Sequence, residues 1–317
     1  MRGTVRNAQD KDKYKFLTTL PGAERLTLVS ANLLQPETFD EAVRDCEIVM
    51  HTASPYSLSI QDPQKELVDP AVKGTLGVLE ACKRVGGVTR VILTSSVAAI
   101  SDEPDSSLLL TESLWNEDSS LTRNPYYFSK VVAEKAAWDF MEKNELDFDL
   151  VVINPFMVIG PSLVPSLNTS NQVIADLLTG KVPGIINLAW GMVDVRDVSQ
   201  AHILAMTCEA AAGRHLCANL TKTMREMVTL LQELGYSDYK LPKTSLDNGF
   251  GNMLVRFGSL FQPAGVRSYL KTNLNRVPNF DNSKIRDELG LQFRDFGDTV
   301  RDTVVDLAKW QHISAPS

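Results

Sequence analysis

The stretch Pro125-Tyr126-Tyr127-Phe128-Ser129-Lys130 holds a phenol and an ammonium at helical spacing. Residues i and i+4 share one helix face, so Tyr126 and Lys130 can point the same way. A tyrosine of unperturbed pKa near 10 is a poor acid–base catalyst at neutral pH. A cation about 4 Å away, at an effective dielectric near 20, is worth about 4 kcal/mol, or up to ~3 pK units. Such a shift brings a phenol toward the range where proton transfer contributes roughly 10²–10⁴ in rate. Tyr127, three residues before Lys130, has a spacing that also allows contact, so spacing leaves the two tyrosines as alternatives. A hydroxyl pair, Ser95–Ser96, ends an earlier apolar run and can offer a donor to a substrate carbonyl.

These side chains need a scaffold that carries them to one place. Apolar runs at 26–33, 47–54, 89–96 and 148–155 have strand length, and helical patterns stand between them. ETFDEAVRD reads as a short helix. From Asp62 to Val85 the spacing of Leu67, Val72, Leu76, Leu79 and Cys82 predicts a helix, with Pro70 expected to kink or interrupt it. A long helix is predicted over 125–144. Continuous apolar strands separated by helices mean a parallel sheet covered on both faces, a doubly wound α/β domain. Beyond Pro155 the pattern loosens. A Pro- and Ser-rich loop leads into the helix NQVIADLLTG and the extended WGMVDV. Helices follow near Asp197, Met224 and Thr299, with a Gly-, Pro- and Asn-rich segment at 240–280. The predicted organisation is a core over 1–160 and a small substrate lobe over 161–317 that returns in places to the core. In open α/β sheets ligands sit beyond the carboxyl ends of the strands. Here those ends read HTASP, TSS and NPFMVIGP.

Composition narrows the function classes. The 317 residues are 44% hydrophobic and 22% charged, the mix of a globular protein with an ample core. A net charge of −7 argues against a phosphate-neutralising surface, so nucleic acid and anionic membranes are not expected partners. No apolar run reaches the ~20 residues of a membrane span, and the N-terminus has no signal-peptide core. Cys46, Cys82, Cys208 and Cys217 lie far apart, which predicts free thiols in a reducing compartment, by default the cytoplasm. No metal site is expected. Asp194 and Asp197 in VDVRD read as helix cap and tether, with Asp197 as the cap. His51, inside a strand end, reads as structural.

A strand ending in TSS, then Y-x-x-x-K on the next long helix, then a strand ending in N-P, resembles the extended short-chain dehydrogenase/reductase family. The resemblance is closest to its dihydroflavonol reductase-like branch, which also includes cinnamoyl-CoA, anthocyanidin and related ketone reductases. It extends over nearly the whole chain, through TVRN, LTLVSANLL, FDEAV, HTASP, TSS, YYFSK, NPFMVIGPS, VDVRDVSQAH and FDNSKI-DELG. It implies a Rossmann-type fold and NADP(H) as cofactor, a small carbonyl or alcohol substrate, and a monomer or weak homodimer. The family's catalytic triad falls on Ser96, Tyr126 and Lys130, which decides between the two tyrosines. Tyr126 would give its proton to the developing alkoxide that Ser96 holds, and Lys130 would lower the Tyr126 pKa and bond the nicotinamide ribose. Thr94, Pro155, Val158 and Ser170 would contact the cofactor, and Ala53 and Ser54 would lie along its ribose and phosphates. Arg6 and Lys13 would take the 2′-phosphate. Asn32 and Leu33 stand in the family's adenine-contacting A-D-L, here Ala31-Asn32-Leu33. Met157, Ile159, Trp190 and Met192 would line an apolar pocket, or equally pack in the core.

One implied part is missing. The turn G-x-x-G-x-x-G should precede the second strand, and nothing before Arg6 carries it; Gly74 and Gly77 read instead as helix packing. The expectation is a chain without the first strand, phosphate loop and first helix, a truncated form of a working reductase. In the order 3-2-1-4-5-6 that strand is central and contributes on the order of 10 kcal/mol. Weak NADPH binding by this chain alone is then expected. Two alternatives stay open: a nucleotide-sugar epimerase or dehydratase, and a non-catalytic binding or regulatory paralogue. Substrate identity is not implied. Ser101 replaces an Asn found in plant dihydroflavonol reductases, and Asn124–Phe128 departs from the cinnamoyl-CoA reductases' N-W-Y-C-Y.

Overall fold

The apolar runs fold as strands in a computed structural model of the chain, which describes residues 1–54 and 61–314; Pro55 of HTASP lies outside the described residues. β1 (Arg2–Val5) pairs in parallel with β2 (Thr27–Ser30). A short helix α1 (Phe39–Val43), β3 (Ile48–His51) and α2 (Asp69–Val85) follow. β4 (Arg90–Thr94), α3 (Pro125–Lys143) and β5 (Asp149–Pro155) complete the first half. The second half runs β6 (Met157–Ile159), α4 (Thr169–Thr179), β7 (Ala189–Asp194), α5 (Val195–Thr207), β8 (Gly213–Cys217), β9 (Leu220–Thr223) and α6 (Met224–Glu233). Four helices close the chain: α7 (Gly249–Ser259), α8 (Ala264–Asn273), α9 (Ser283–Leu289) and α10 (Phe296–Lys309).

β3, β4, β5 and β8 form one parallel sheet in the order β8-β5-β4-β3. Side chains alternate between its faces, as a pleat requires. Val91, Leu93, Leu150 and Val152 pack with Val78 and Leu79 of α2 and Ala137 of α3. Ile92, Val151 and Ile153 pack on the other face with Ala201 and Ala205 of α5 and Ile285 of α9. Both faces are therefore covered, which is why these strands read as unbroken apolar runs. β8 comes from the second half of the chain and pairs with β5. A second sheet, β9-β7-β6, and helices α4, α6 and α10 build the lobe around Ile159, Met192, Trp190, Leu177 and Val300.

β1 and β2 form a sheet of their own, and among the described residues no strand pairing joins β1 to β3. The consequence shows in burial: Arg90–Leu93 of β4 are buried, whereas Met50 of β3 is 40% exposed. Other contacts dock the separate pair. Arg2 donates from one guanidinium nitrogen to the carbonyls of Glu41 at 3.0 Å and Ala42 at 3.2 Å, at the end of α1. The chain after β2 lies on α2, where a Cβ on Gly74 would stand 2.7 Å from Leu33 and one on Gly77 2.9 Å from Pro36. The G-x-x-G of α2 is thus a groove for close packing, as its position in a helix suggested.

The helical stretch before Val85 is interrupted at Pro70: a π-helical turn over Gln64–Val68 precedes α2, and Pro70 sits in the first turn of α2, where its missing N–H costs nothing. Two expectations change. The 240–280 segment, loop-like in composition, forms α7 and α8, because Asn248 caps α7 by accepting from the Gly251 N–H at 2.8 Å and Pro263 starts α8. The cap of α5 is Asp194, which accepts from the Arg196 N–H at 2.7 Å. Asp197 instead accepts from the Arg294 N–H at 3.0 Å and pairs with that side chain. Cys82 and Cys217 are buried free thiols, and burial pushes both pKa values up, Cys82 to about 12, so neither is a nucleophile at neutral pH. Among the described residues no cluster of His, Cys, Asp and Glu could hold a metal, and no helix is long and apolar enough to cross a membrane.

Candidate active site

β3, β4 and β5 are parallel and in register, so His51, Thr94 and Pro155 end at one edge of the sheet. α3 runs beneath that edge and carries Tyr126 and Lys130 one turn apart. The Lys130 ammonium lies 5.7 Å from the centre of the Tyr126 ring and donates to Ser54 Oγ at 2.9 Å. Lys130 is 8% exposed. Burial lowers its pKa to about 8, although the Glu134 carboxylate pulls the other way. Burial, and then the Lys130 charge, hold His51 at about 4, so its imidazole is neutral beside the ammonium. The Tyr127 ring packs edge-on to Tyr126, with centroids 6.0 Å apart.

The three hydroxyls that end β4 have different duties. His202 Nδ1 donates to the Val198 carbonyl at 2.8 Å, which makes Nδ1 the protonated nitrogen and Nε2 the acceptor. Thr94 therefore donates its hydroxyl to His202 Nε2 at 2.6 Å, so that side chain has no proton left to give a ligand. Ser95 donates to Glu134 at 2.5 Å and is buried. Ser96 accepts from the Ala98 N–H at 3.1 Å, capping the turn at 97–99. A hydroxyl that accepts keeps its own proton to give. Of the pair Ser95–Ser96, only Ser96 has a proton uncommitted among the described residues.

Two buried networks hold these groups, and neither was read from the sequence. Glu134, one turn beyond Lys130, takes Arg214 Nε at 2.6 Å, Asn154 Nδ2 at 2.8 Å and the Ser95 hydroxyl. Asn154 also donates to the Ser96 carbonyl at 3.2 Å, which ties the serine to β5. Arg214 lies 3.9 Å from the centre of the Trp115 ring and donates to the Glu112 and Leu114 carbonyls at 2.8 and 2.6 Å. At the start of α3, Asn124 adopts φ 48°, ψ 63°, a left-handed conformation that asparagine tolerates. Its side chain bonds Asp102 and, at 2.9 Å, Thr272 of α8, and its N–H meets Ser268 at 2.9 Å. The lobe thereby fixes the helix end that presents Tyr126. Glu134 had a signal in the sequence, the i+4 step from Lys130 on an otherwise apolar helix face. Arg214 had none.

The remaining predicted residues separate into two groups. Pro155 is buried at the end of β5, opposite Cys217, and Val158 is half-buried on β6. Ser170 lies in the first turn of α4, which is held to β6 by Asn171: its amide bonds the Gly160 carbonyl at 2.8 Å and the Gly160 N–H at 3.3 Å. Ala53 is exposed beside Ser54. Arg6, Lys13, Asn32 and Leu33 belong to the separate β1–β2 unit. Arg6 is exposed just beyond β1, and the Lys13 ammonium lies 5.8 Å from the Tyr14 ring. The Asn32 side-chain oxygen accepts from the Leu34 N–H at 3.1 Å, and Leu33 is packed on Gly74. Of the pocket candidates, Ile159, Trp190 and Met192 are core residues; Met157 alone is half-buried.

The chain matches the model of the NAD dependent epimerase/dehydratase family over residues 2–218. It is 42% identical over 254 residues to a cinnamoyl-CoA reductase (CAD2) of Medicago truncatula, covering 78% of this chain and 77% of that protein. It is 34% identical over 255 residues to a bifunctional dihydroflavonol 4-reductase/flavanone 4-reductase of Pyrus communis, covering 76% and 71%. In three dimensions it is similar to the yeast methylglyoxal/isovaleraldehyde reductase Gre2 in complex with NADPH, with a TM-score of 0.79 and 28% identity over 98% of this chain and 91% of that one. These likenesses extend over both halves of the chain and agree with the parallel sheet and its strand-end residues: the chain belongs to the NAD dependent epimerase/dehydratase family.

Proposed function

We propose that this protein is an NADPH-dependent reductase of a ketone or aldehyde on a small, ring-bearing substrate. The observation that supports the reading is the Lys130 ammonium, buried and 5.7 Å from the centre of the Tyr126 ring, on the helix that follows the strand ending at Thr94–Ser96, with no bond donated by the Ser96 hydroxyl among the described residues. Ser96 donates to the substrate carbonyl oxygen and fixes its position. Tyr126 gives its proton to the same oxygen as negative charge develops there. Lys130 keeps the phenol acidic by its charge. A nicotinamide, when bound, supplies the hydride. The ring-bearing substrate class is supported by relatives named for cinnamoyl-CoA and dihydroflavonol, and the choice of NADPH by the Gre2 complex.

The residues present fit the nicotinamide half of that cofactor. Among the described residues Lys130 makes one hydrogen bond, to Ser54, so this buried ammonium has two N–H groups left for a ribose diol. Ala53 and Ser54, the Thr94 main chain, Pro155, Val158 and Ser170 border the same edge. On the β1–β2 unit, Arg6 and Lys13 would take the 2′-phosphate and Asn32 and Leu33 the adenine. The 317 residues contain no glycine-rich turn to cradle the pyrophosphate with backbone amides. Taken by themselves they are therefore expected to bind NADPH weakly. The test is Tyr126→Phe, assayed by NADPH consumption against a panel of aromatic aldehydes and ketones and by NADPH fluorescence titration. Turnover should fall at least 10²-fold with cofactor affinity unchanged; turnover equal to the parent would refute the reading.

A further inference from the structure

The helix α7 is amphipathic the wrong way round. Phe250, Met253, Leu254, Phe257, Leu260 and Phe261 recur at i, i+3, i+4, i+7, i+10 and i+11, one face of a helix that continues a turn past Ser259. All six are exposed, from 43% for Leu254 to 78% for Phe261. Gly251 and Ser259, small residues of the opposite face, are buried against the protein. Phe257 and Phe261 stack edge-to-face at 5.8 Å, forming a ridge rather than scattered side chains. Single exposed apolar residues are ordinary; a continuous stripe of six is an interaction surface.

Charge indicates what covers it. From Asn248 to Phe280 the chain has four cations, Arg256, Arg267, Lys271 and Arg276, and no acidic residue, in a protein of net charge −7. Arg276 pairs with Glu103. Arg256, Arg267 and Lys271 are exposed and have no ion pair among the described residues, whereas Arg84, Arg90, Arg123, Arg196, Arg214 and Arg225 all do. Arg256 borders the apolar stripe, and Arg267 and Lys271 stand on the adjoining α8. An apolar ridge edged by unpaired cations is the complement of a lipid surface with anionic headgroups. Two copies facing each other through this patch would set the same three cations against their equivalents.

We propose that α7 and α8 dock the protein peripherally on an anionic membrane surface, the ridge entering the headgroup layer and the three cations meeting lipid phosphates and carboxylates. The net charge argued against such a partner because it averages over the whole surface, while a surface potential is felt only within about a Debye length. The experiment is sedimentation of the full chain with vesicles of phosphatidylcholine alone or mixed with phosphatidylserine, alongside light scattering of the protein without lipid. Binding is expected with the mixed vesicles, weakening about fivefold for each cation removed and falling with added salt. Phe257→Ser with Phe261→Ser should abolish it, and Arg256→Glu with Arg267→Glu should remove the preference for phosphatidylserine; circular dichroism checks that both variants fold. Absence of binding, equal binding to both vesicle types, or a solution dimer that the two Phe substitutions dissociate would each overturn the proposal.

Discussion

Replacing Lys130 with Met should make the protein more stable while removing its activity. The ammonium is held at a pKa of about 8 against an ordinary 10.5, chiefly by burial. That difference of about 2.5 units, at 1.36 kcal/mol each, is roughly 3 kcal/mol by which burial of the charge opposes folding at neutral pH. Methionine has similar length and no charge, and it forfeits the bond to Ser54, worth about 1 kcal/mol. The net gain is about 2 kcal/mol. An unfolding entropy of about 2.1 cal/mol/K per residue over 317 residues is about 0.7 kcal/mol/K, so the melting temperature should rise by about 3 °C. The sign with pH follows from linkage. Above pH 8 the folded protein has released this proton while the unfolded chain still binds it, so the parent gains stability relative to the variant up to about pH 10.5. Differential scanning calorimetry of both proteins across that window measures the difference. A variant less stable than the parent at pH 7, or a stability difference that does not shrink above pH 8, would show that Lys130 is not a buried strained charge.

Other perturbations separate the site from its supports. Glu134→Gln leaves Arg214 charged and buried without its carboxylate, and should cost on the order of 3 kcal/mol in a denaturant melt; it should also lower kcat more than it raises KM, because Asn154 and Ser95, which flank Ser96, lose the carboxylate that orients them. Gly74→Val puts methyl groups where Leu33 lies and should destabilise by about 1–3 kcal/mol. Limited proteolysis of that variant should cut within residues 1–40 before it touches the β3–β4–β5–β8 sheet. Asp194→Ala removes the cap of α5, the pair with Arg196 and the bond from Thr299 at 2.9 Å; a fall in melting temperature with unchanged NADPH affinity is expected.

What could be read from the sequence was local. Parallel strands buried on both faces announce themselves as unbroken apolar runs, so β4 and β5 were legible, β2 and β3 were marked by their apolar, β-branched composition although they are only half-buried, and Tyr126 and Lys130 share a helix, so their alignment follows from 3.6-residue geometry. Ser96 was reached through resemblance, and only the atoms give a reason: its neighbour Ser95 spends its proton on Glu134. Contacts between distant segments left no trace. Arg214 reaches Glu134 across 80 positions and Thr272 reaches Asn124 across 148, and such pairings are chosen by tertiary packing. Local composition also misled where capping outweighed it, as in α7, whose glycines and asparagines suggested a loop until Asn248 supplied the missing acceptor.

The division of the sheet bears directly on how the proposed cofactor would be held. Arg6, Lys13, Asn32 and Leu33 are on one hydrogen-bonded unit, and Ser54, Ser96, Tyr126 and Lys130 are on or beside another. Their relative placement rests on Val29, Ala31 and Leu33 packing into the core of α1, α2 and the main sheet, on Arg2 at the end of α1, on the glycine groove of α2 and on the Asp40–Arg84 pair, with Arg84 Nε 3.0 Å from Asp40. That last pair is half-exposed and contributes little by itself. A dinucleotide reaching from Arg6 to Lys130 would therefore join two units held to one another by side-chain packing, with no strand pairing between them among the described residues. The partners that surround Lys130 do not depend on that joint, because Ser54, Glu134 and Ser96 all lie on or beside the continuous sheet. On the proposed reading, the proton-transfer end would be held by the continuous sheet, and NADPH affinity would depend on how firmly the β1–β2 unit is anchored.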